Sequence, residues 1–281
     1  MNAETAIAIE AQCKMPDGTV LFVHRLEPRQ AVRANVVLVH GLGEHSARYR
    51  HVAERLAAFG FRPCLFDLRG HGRSEGKRGH IGSYEELLDD AAAVFAEFAR
   101  DGTPTFLYGH SLGGQLAINF ATGRKPAIAG LIIASPWLEL AFAPRFWKLW
   151  LAQLAVRCWP RWTQQTEVRP ERLSRDPAFL SSLPDPELIH HRLSAHMYFE
   201  LVAGARRARD NAATMEAPLL LVQGEADPIT SVEATRAFFK NAQSPDKTLL
   251  LYPGGLHETH NDLDRETVLR DVVEWLDRRC A

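Results

Sequence analysis

No stretch of this 281-residue chain approaches the ~18 uncharged apolar residues that a bilayer-spanning helix needs, so no transmembrane helix is expected. Cysteine is scarce, with Cys13, Cys64, Cys158 and Cys280 as the whole complement. None forms a C-x-x-C pair, and their wide spacing suits neither a disulfide framework nor a zinc site. Free thiols in a reducing compartment are the expectation. A charge excess is also lacking: the formal net charge is -1, which leaves no global field for nucleic acid. No nucleic-acid partner is expected, and an anionic surface could be met only by a local patch. The first residues, with Glu4 and Glu10, lack the basic start and apolar run of a secretory leader. Together these absences point to a cytoplasmic protein. Internal repeats and low-complexity tracts are missing as well.

What is present is ordinary for a globular enzyme, with 46% hydrophobic and 24% charged residues. The length suits one large α/β domain with an insertion, or two small domains. Short β-branched runs alternate with longer helical patterns. Residues 6–9 and 20–25 read as an opening pair of strands around a turn at Pro16-Asp17-Gly18. Further strands are expected at 35–40, 63–66, 105–109, 130–134, 219–223 and 248–252. The first of these is continuously apolar, as a strand covered on both faces should be. Helices are expected at 49–59, 84–100, 112–121, 232–241 and 265–279. This alternation predicts a mostly parallel central sheet flanked by helices.

One segment breaks the rhythm. Between Trp137 and about Ala213 no strand pattern occurs, and Pro144, Pro160, Pro170, Pro177, Pro184 and Pro186 interrupt a helical pattern. An insertion of that size reads as a helical cap over a site rather than a structureless loop. It would span 137–213, after the sixth strand, with 1–136 and 214–281 forming the core domain. Five of the six tryptophans lie here: Trp137, Trp147, Trp150, Trp159 and Trp162. From Trp137 to Arg169, Arg145, Lys148, Arg157, Arg161 and Arg169 stand against Glu139 and Glu167, a local charge of +3 on a chain of net -1. An aromatic, basic, amphipathic segment suits a water–lipid interface, so peripheral membrane contact through the cap is a candidate role. The alternative is ordinary packing of the cap on the sheet.

Gly109-His110-Ser111-Leu112-Gly113 matches G-x-S-x-G between a strand pattern and a helix pattern. Such a turn exposes a serine Oγ at a strand end, and side chains at 109 and 113 would collide with the neighbouring strand and helix. Ser111 is the candidate nucleophile. His40-Gly41-Leu42-Gly43 follows an earlier strand, so the backbone N–H groups of Leu42 and Leu112 are the candidate oxyanion donors. A serine needs a base, and this fold orders its partners Ser, acid, His. After the strand at 219–223, Asp227 is preferred over Glu225, which sits closer to the strand end and reads as a turn residue. After the last strand, His257 is preferred over His260 as the base.

These residues give the chain a family likeness. It resembles the monoacylglycerol lipase / lysophospholipase branch of the α/β-hydrolases from about Met15 to Leu276. Four stretches carry the match. They are His40-Gly41-Leu42-Gly43-Glu44-His45-Ser46-Ala47-Arg48-Tyr49; Phe66-Asp67-Leu68-Arg69-Gly70-His71-Gly72-Arg73-Ser74-Glu75-Gly76; Gly109-His110-Ser111-Leu112-Gly113-Gly114; and Gly224-Glu225-Ala226-Asp227. The first two are specific to the branch, and the third is shared by many lipases. The resemblance implies that Glu44 and Arg48 help form a polar pocket for a glycerol head group, lined also by His110 and His260. An ion pair between Glu44 and Arg48 that fixes the loop is the alternative. The Asp67 to Gly76 stretch is expected to shape a loop, with its charges tied to backbone. Within the cap only Leu173-Ser174-Arg175-Asp176-Pro177 and the Asp185-Pro186 region look familiar, which leaves acyl-chain length open.

The expected activity is hydrolysis of a small lipid ester, monoacylglycerol-like, through an acyl-enzyme and without metal or organic cofactor. A lysophospholipase or a broad short-chain carboxylesterase is the alternative. Dehalogenase and epoxide-hydrolase chemistry would place Asp where Ser111 stands, and no subsite for a peptide amine is recognisable. A non-catalytic ligand-binding relative would usually lack a member of the triad, and all three are present. The sequence leaves oligomeric state open.

Overall fold

A computed structural model describes residues 6–166 and 168–280. Glu4, and Glu167 of the basic segment, lie outside the described residues. In chain order the strands are β1 (Ala6–Lys14), β2 (Val20–Pro28), β3 (Ala34–Val39), β4 (Phe61–Phe66), β5 (Thr105–His110), β6 (Gly130–Ala134), β7 (Thr163–Gln165), β8 (Arg192–Ser194), β9 (Leu219–Gly224) and β10 (Lys247–Tyr252). The helices are α1 (Arg50–Ala58), α2 (Tyr84–Phe98), α3 (Leu112–Arg124), α4 (Phe146–Cys158), α5 (Pro177–Ser181), α6 (Ala195–Asp210), α7 (Val232–Asn241) and α8 (Arg265–Asp277). Eight strands form one sheet in the order β1-β2-β4-β3-β5-β6-β9-β10. β1 and β2 are antiparallel to each other, β2 is antiparallel to β4, and the remaining pairs are parallel. This is the α/β-hydrolase fold, with helices on both faces of the sheet.

Period-2 alternation along the central strands sorts side chains between two cores. From β3, Val37 and Val39 join one core with Leu87, Leu88 and Val94 of α2 and Leu116 and Ile118 of α3. Val36 and Leu38 join the other, with Val52 and Leu56 of α1 and Val268, Leu269, Val272 and Trp275 of α8. Every residue of β3, β5, β6 and β9 is buried, which is why these strands read as largely apolar runs. Local chemistry sets the helix starts. Ser83, Ser194 and Ser231 accept hydrogen bonds from the Glu86, Met197 and Ala234 N–H groups at the heads of α2, α6 and α7.

The insertion between β6 and β9 contains α4, α5 and α6. It also contains β7 and β8, which pair antiparallel into a small separate sheet. The expectation that no strand occurs there is therefore corrected: three-residue strands are too short to imprint an alternating pattern on the sequence. α4 differs from expectation too. It has no buried residue, and its outward side carries Phe146 (84% exposed), Trp150 (61%) and Leu151 (49%). Half-buried Leu149, Ala152 and Val156 supply its other side, so the helix is apolar on both sides rather than amphipathic. Among the described residues no helix is long and apolar enough to cross a membrane.

The Asp67 to Gly76 stretch is tied down as expected in part. Asp67 accepts the backbone N–H groups of Ser46 (2.7 Å) and Arg73 (2.7 Å). Arg69 instead grips side chains, with Nε and Nη2 at 2.6 and 2.7 Å from the two oxygens of buried Asp90 on α2.

Trp275 is fully buried and meets Phe106 of β5 edge-on, with ring centroids 5.9 Å apart. Trp275→Ala should lower unfolding free energy by about 3–5 kcal/mol, measured by urea titration. A loss below ~1 kcal/mol would mean that α8 is not clamped to the sheet as described.

Candidate active site

The parallel strands all end on one edge, and the candidate residues sit on the loops that leave it. Ser111 follows β5 with φ 53° and ψ -113°, a backbone that non-glycine residues rarely adopt. Its N–H donates to the Ala134 carbonyl (2.9 Å), and its own carbonyl accepts the Trp137 N–H (3.0 Å). A Cβ on Gly109 would collide with the Gly113 carbonyl, and one on Gly113 with the carbonyls of Val39 and His40. Both glycines are thus required by backbone contact with the helix and the neighbouring strand. Ser111 itself is 9% exposed.

His257 lies on the loop after β10, and Asp227 on the loop after β9. His257 Nδ1 is 2.8 Å from Asp227 Oδ2. The carboxylate accepts, so Nδ1 carries the proton and Nε2 is left as the basic nitrogen. Asp227 is otherwise saturated. Its Oδ1 takes the Ile229 and Thr230 N–H groups at 2.8 and 3.1 Å, and its Oδ2 takes the Thr230 hydroxyl at 2.7 Å and Gln223 Nε2 at 3.2 Å. Burial alone would raise the acid, but His257 and these donors hold it down at about 2. Burial alone would lower the imidazole. The Asp227 charge and hydrogen bond, with Glu258 and Glu44 further off, reverse that and leave His257 above its ordinary value. The rival Glu225 points elsewhere, to Arg236 on the surface at 3.0 Å.

The His40-Gly41-Leu42-Gly43 turn is braced from both sides. His40 Nε2 accepts the Leu68 N–H (3.0 Å), so its proton is on Nδ1, which donates to the Gly41 carbonyl (2.7 Å). Glu44 Oε1 accepts the Gly41 N–H at 2.5 Å. With that carbonyl fixed, the trans peptide aims the Leu42 N–H the opposite way. Leu112 opens α3, where an N–H has no partner inside the helix.

The remaining candidates form one buried polar cluster. Glu44 Oε1 also accepts the Tyr49 hydroxyl (2.6 Å), and that hydroxyl lies 2.8 Å from His110 Nδ1. Arg48 is paired with Glu258 through Nη2, at 2.8 and 2.7 Å, and with Glu44 at 3.5 Å. Despite complete burial, Glu44 is held well below the usual carboxylate range by His110 and Arg48. The His110 ring lies 4.8 Å from the rings of both His257 and His260. His260, fully buried, stacks on Tyr49 at 4.7 Å, and burial drives its basicity far down. Glu44 and Arg48 thus make the ion pair that was the alternative to head-group contact; Glu44 Oε2 keeps no hydrogen-bond partner.

Sequence reasoning missed Glu258, Thr230 and Tyr49. Glu258 stands beside His257, and Asp227-Pro228-Ile229-Thr230 is a turn in which a threonine can return to the aspartate. Both signals were there to read. Among the described residues no cluster of His, Cys, Asp and Glu side chains could hold a metal ion.

A strained serine after β5, an acid after β9 and a histidine after β10, in this fold, define an α/β serine hydrolase. Residues 30–264 match the family described as Serine aminopeptidase, S33. The chain is 35% identical over 265 residues to an uncharacterized abhydrolase domain-containing protein of Dictyostelium discoideum. That match takes in 94% of this chain but only 28% of the length of that relative. It is 30% identical over 247 residues to the monoacylglycerol lipase of Mycolicibacterium smegmatis, covering 87% of this chain and 88% of that one. Superposed on the crystal structure of Paleococcus ferrophilus monoacylglycerol lipase it gives a TM-score of 0.82 at 34% identity, covering 97% of this chain and 99% of the other. The chain belongs to the serine aminopeptidase S33 family of α/β-hydrolases, in the branch that holds the monoacylglycerol lipases.

With His257 raised, its basic form is lost as pH falls through a value above 6.5. A pH profile of kcat/KM should therefore show an acid-side step above 6.5. Asp227→Asn removes the attraction and leaves burial dominant, so the step should move below 6.5 while kcat drops on the order of 10⁴-fold. An unmoved step would show that His257 is not the titrating base.

Proposed function

We propose that this serine hydrolase cleaves monoacylglycerol-like esters to fatty acid and glycerol. The observation that carries the mechanism is the 2.8 Å pair of Asp227 and His257 on the strand edge where Ser111 stands. Ser111 Oγ attacks the ester carbonyl as His257 Nε2 takes its proton. The tetrahedral oxyanion is held by the N–H groups of Leu42 and Leu112. His257 then gives its proton to the leaving alcohol, Asp227 stabilising the imidazolium throughout. Water, deprotonated by the same imidazole, attacks the acyl-enzyme and releases the acid. None of these steps calls on a metal or organic cofactor.

Glu44, Arg48, His110 and His260 line the alcohol side of this reading. Glu44 and Arg48 act mainly by shaping the pocket, since Glu44 Oε1 is engaged with Gly41 and Tyr49 and Arg48 Nη2 with Glu258. The named activities of the Mycolicibacterium and Paleococcus relatives support the substrate class. The insertion, 137–213, serves as a cap over Ser111. Its exposed Phe146, Trp150, Trp159 and Trp162, set among basic residues, support contact with a lipid surface.

Two measurements test this. Wild type and Ser111→Ala should be compared on 1- and 2-monoacylglycerols, lysophosphatidylcholine and p-nitrophenyl esters of two to sixteen carbons. Monoacylglycerols should be preferred over the matched lysophospholipid, and the mutant should lose about 10⁶-fold in kcat. Turnover of short esters alone would discard the lipase reading and keep the nucleophile. Separately, the protein should float with vesicles containing anionic lipid, and replacing Trp150, Trp159 and Trp162 by Ser should leave it at the bottom of the gradient. Equal flotation of both proteins would remove the cap from the membrane contact.

A further inference from the structure

The insertion touches the loop that bears His257 through one short segment, residues 173–176. The Leu173 carbonyl accepts the N–H of Glu258 at 2.8 Å, and the Ser174 hydroxyl donates to the Asn261 carbonyl at 2.8 Å. Arg175 makes the strongest tie. Its backbone N–H meets Asp262 Oδ1 at 2.8 Å, its Nε meets Asp262 Oδ2 at 2.9 Å, and its Nη2 meets Asp264 at 2.6 Å. Asp176 pairs in turn with Arg265.

Asp262 is 1% exposed and works as a junction. Besides Arg175, its Oδ2 accepts the Leu256 N–H at 2.9 Å and its Oδ1 accepts the Leu263 N–H at 2.9 Å. Leu256 precedes His257 and Glu258 follows it. The backbone on both sides of His257 is therefore tied to the insertion, at the Gly255–Leu256 peptide through the Asp262–Arg175 pair and at the His257–Glu258 peptide by the Leu173 carbonyl.

We infer that Arg175 and Asp262 are a positioning pair for the general base, so that the insertion takes part in the chemistry as well as covering the site. This rests on the reading of His257 as the base. The physical reason is that a buried carboxylate stays in place only while its charge is met. Without the guanidinium, Asp262 would be an almost buried anion facing backbone donors alone. Water would be drawn in, the carboxylate would turn outward, and Leu256 N–H would lose its acceptor. Arg175 also suits the task by its fork, which spans Asp262 and Asp264 in one plane; a lysine would satisfy the charge at a single point. His257 has little slack, because its ring must meet Asp227 on one side while His110 packs against the other at 4.8 Å.

The test is steady-state kinetics on one monoacylglycerol for Arg175→Ala, Arg175→Lys, His257→Ala and the surface control Arg206→Ala, with Tm measured for each. Arg175→Ala should lower kcat on the order of 10²-fold, the cost of a slight misplacement of a catalytic group, with KM within about twofold of wild type. Its acid-side step in kcat/KM should move to lower pH, because a loosened loop weakens the Asp227 contact that raises His257. Arg175→Lys should recover part of the rate, and Arg206→Ala should match wild type. A lowered Tm with unchanged kcat and an unmoved step, in either Arg175 variant, would overturn the pair as a positioning device and leave it a structural tie. Wild-type activity in His257→Ala would instead overturn the assignment of the base. Should Arg175→Ala fail to fold, Arg175→Lys carries the same comparison, with the reduced kcat and shifted step still expected at a Tm near wild type.

Discussion

A single residue in a left-handed backbone organises the molecule around it. Ser111 at φ 53° carries strain of about 1–3 kcal/mol, and such a residue persists only where its surroundings leave no alternative. Here the surroundings are backbone. The Ala134 carbonyl holds its N–H, the Trp137 and Gln115 N–H groups hold its carbonyl, and the contacts of Gly109 and Gly113 press α3 against β5 and β3. That close packing is possible because the central strands are parallel, buried on both faces and end together. The same common edge delivers His40, Asp227 and His257 to the neighbourhood of the serine from β3, β9 and β10.

Packing so many loops into a buried edge creates a charge problem, and its solution shapes the site. Asp227 spends its lone pairs on donors from Gln223, Ile229, Thr230 and His257, so the acid stays ionised despite burial. Behind it, Glu44 and Glu258 share one guanidinium, that of Arg48. Two carboxylates against one cation leave an excess of negative potential facing the imidazole. Both act on His257 in the same direction as Asp227, favouring its protonated form. The Glu44–Arg48 pair, read from sequence as an alternative to head-group recognition, thus lies within the field that reaches His257.

The sheet, its helices and the strand-end positions of Ser111, Asp227 and His257 were legible because each leaves a local mark. Continuous apolar runs mark buried strands, glycines mark close backbone approach, and chain order separates acid from base. Asp227 and Glu225 could be told apart on the same grounds, one inside the turn and the other beside it. What stayed hidden depends on contacts between distant segments. β7 and β8 pair across nearly thirty residues with three residues each, and no propensity predicts that. The outward apolar side of α4 reads in sequence as one face of an amphipathic helix, since exposure is fixed by what α6 leaves uncovered. Glu258 was passed over because the partner that gives it meaning, Arg48, lies 210 positions away.

The insertion is best understood through where it is fastened and where it is not. Near one end, His190 donates its N–H to the Gly43 carbonyl (2.8 Å) and Ser194 donates its N–H to the Gly79 carbonyl (2.7 Å), with Gly43 and Gly79 both at positive φ beneath it. Near its middle, residues 173–176 bind the His257 loop. These contacts rest on the turn that bears Gly43 and on the loop that bears His257, and α6 adds Met197 and Leu201 to the sheet core. α4, with its Phe, Trp and Leu side chains, has no buried residue. Apolar surface that is exposed in this way lowers its free energy by meeting something apolar, a chain or a surface.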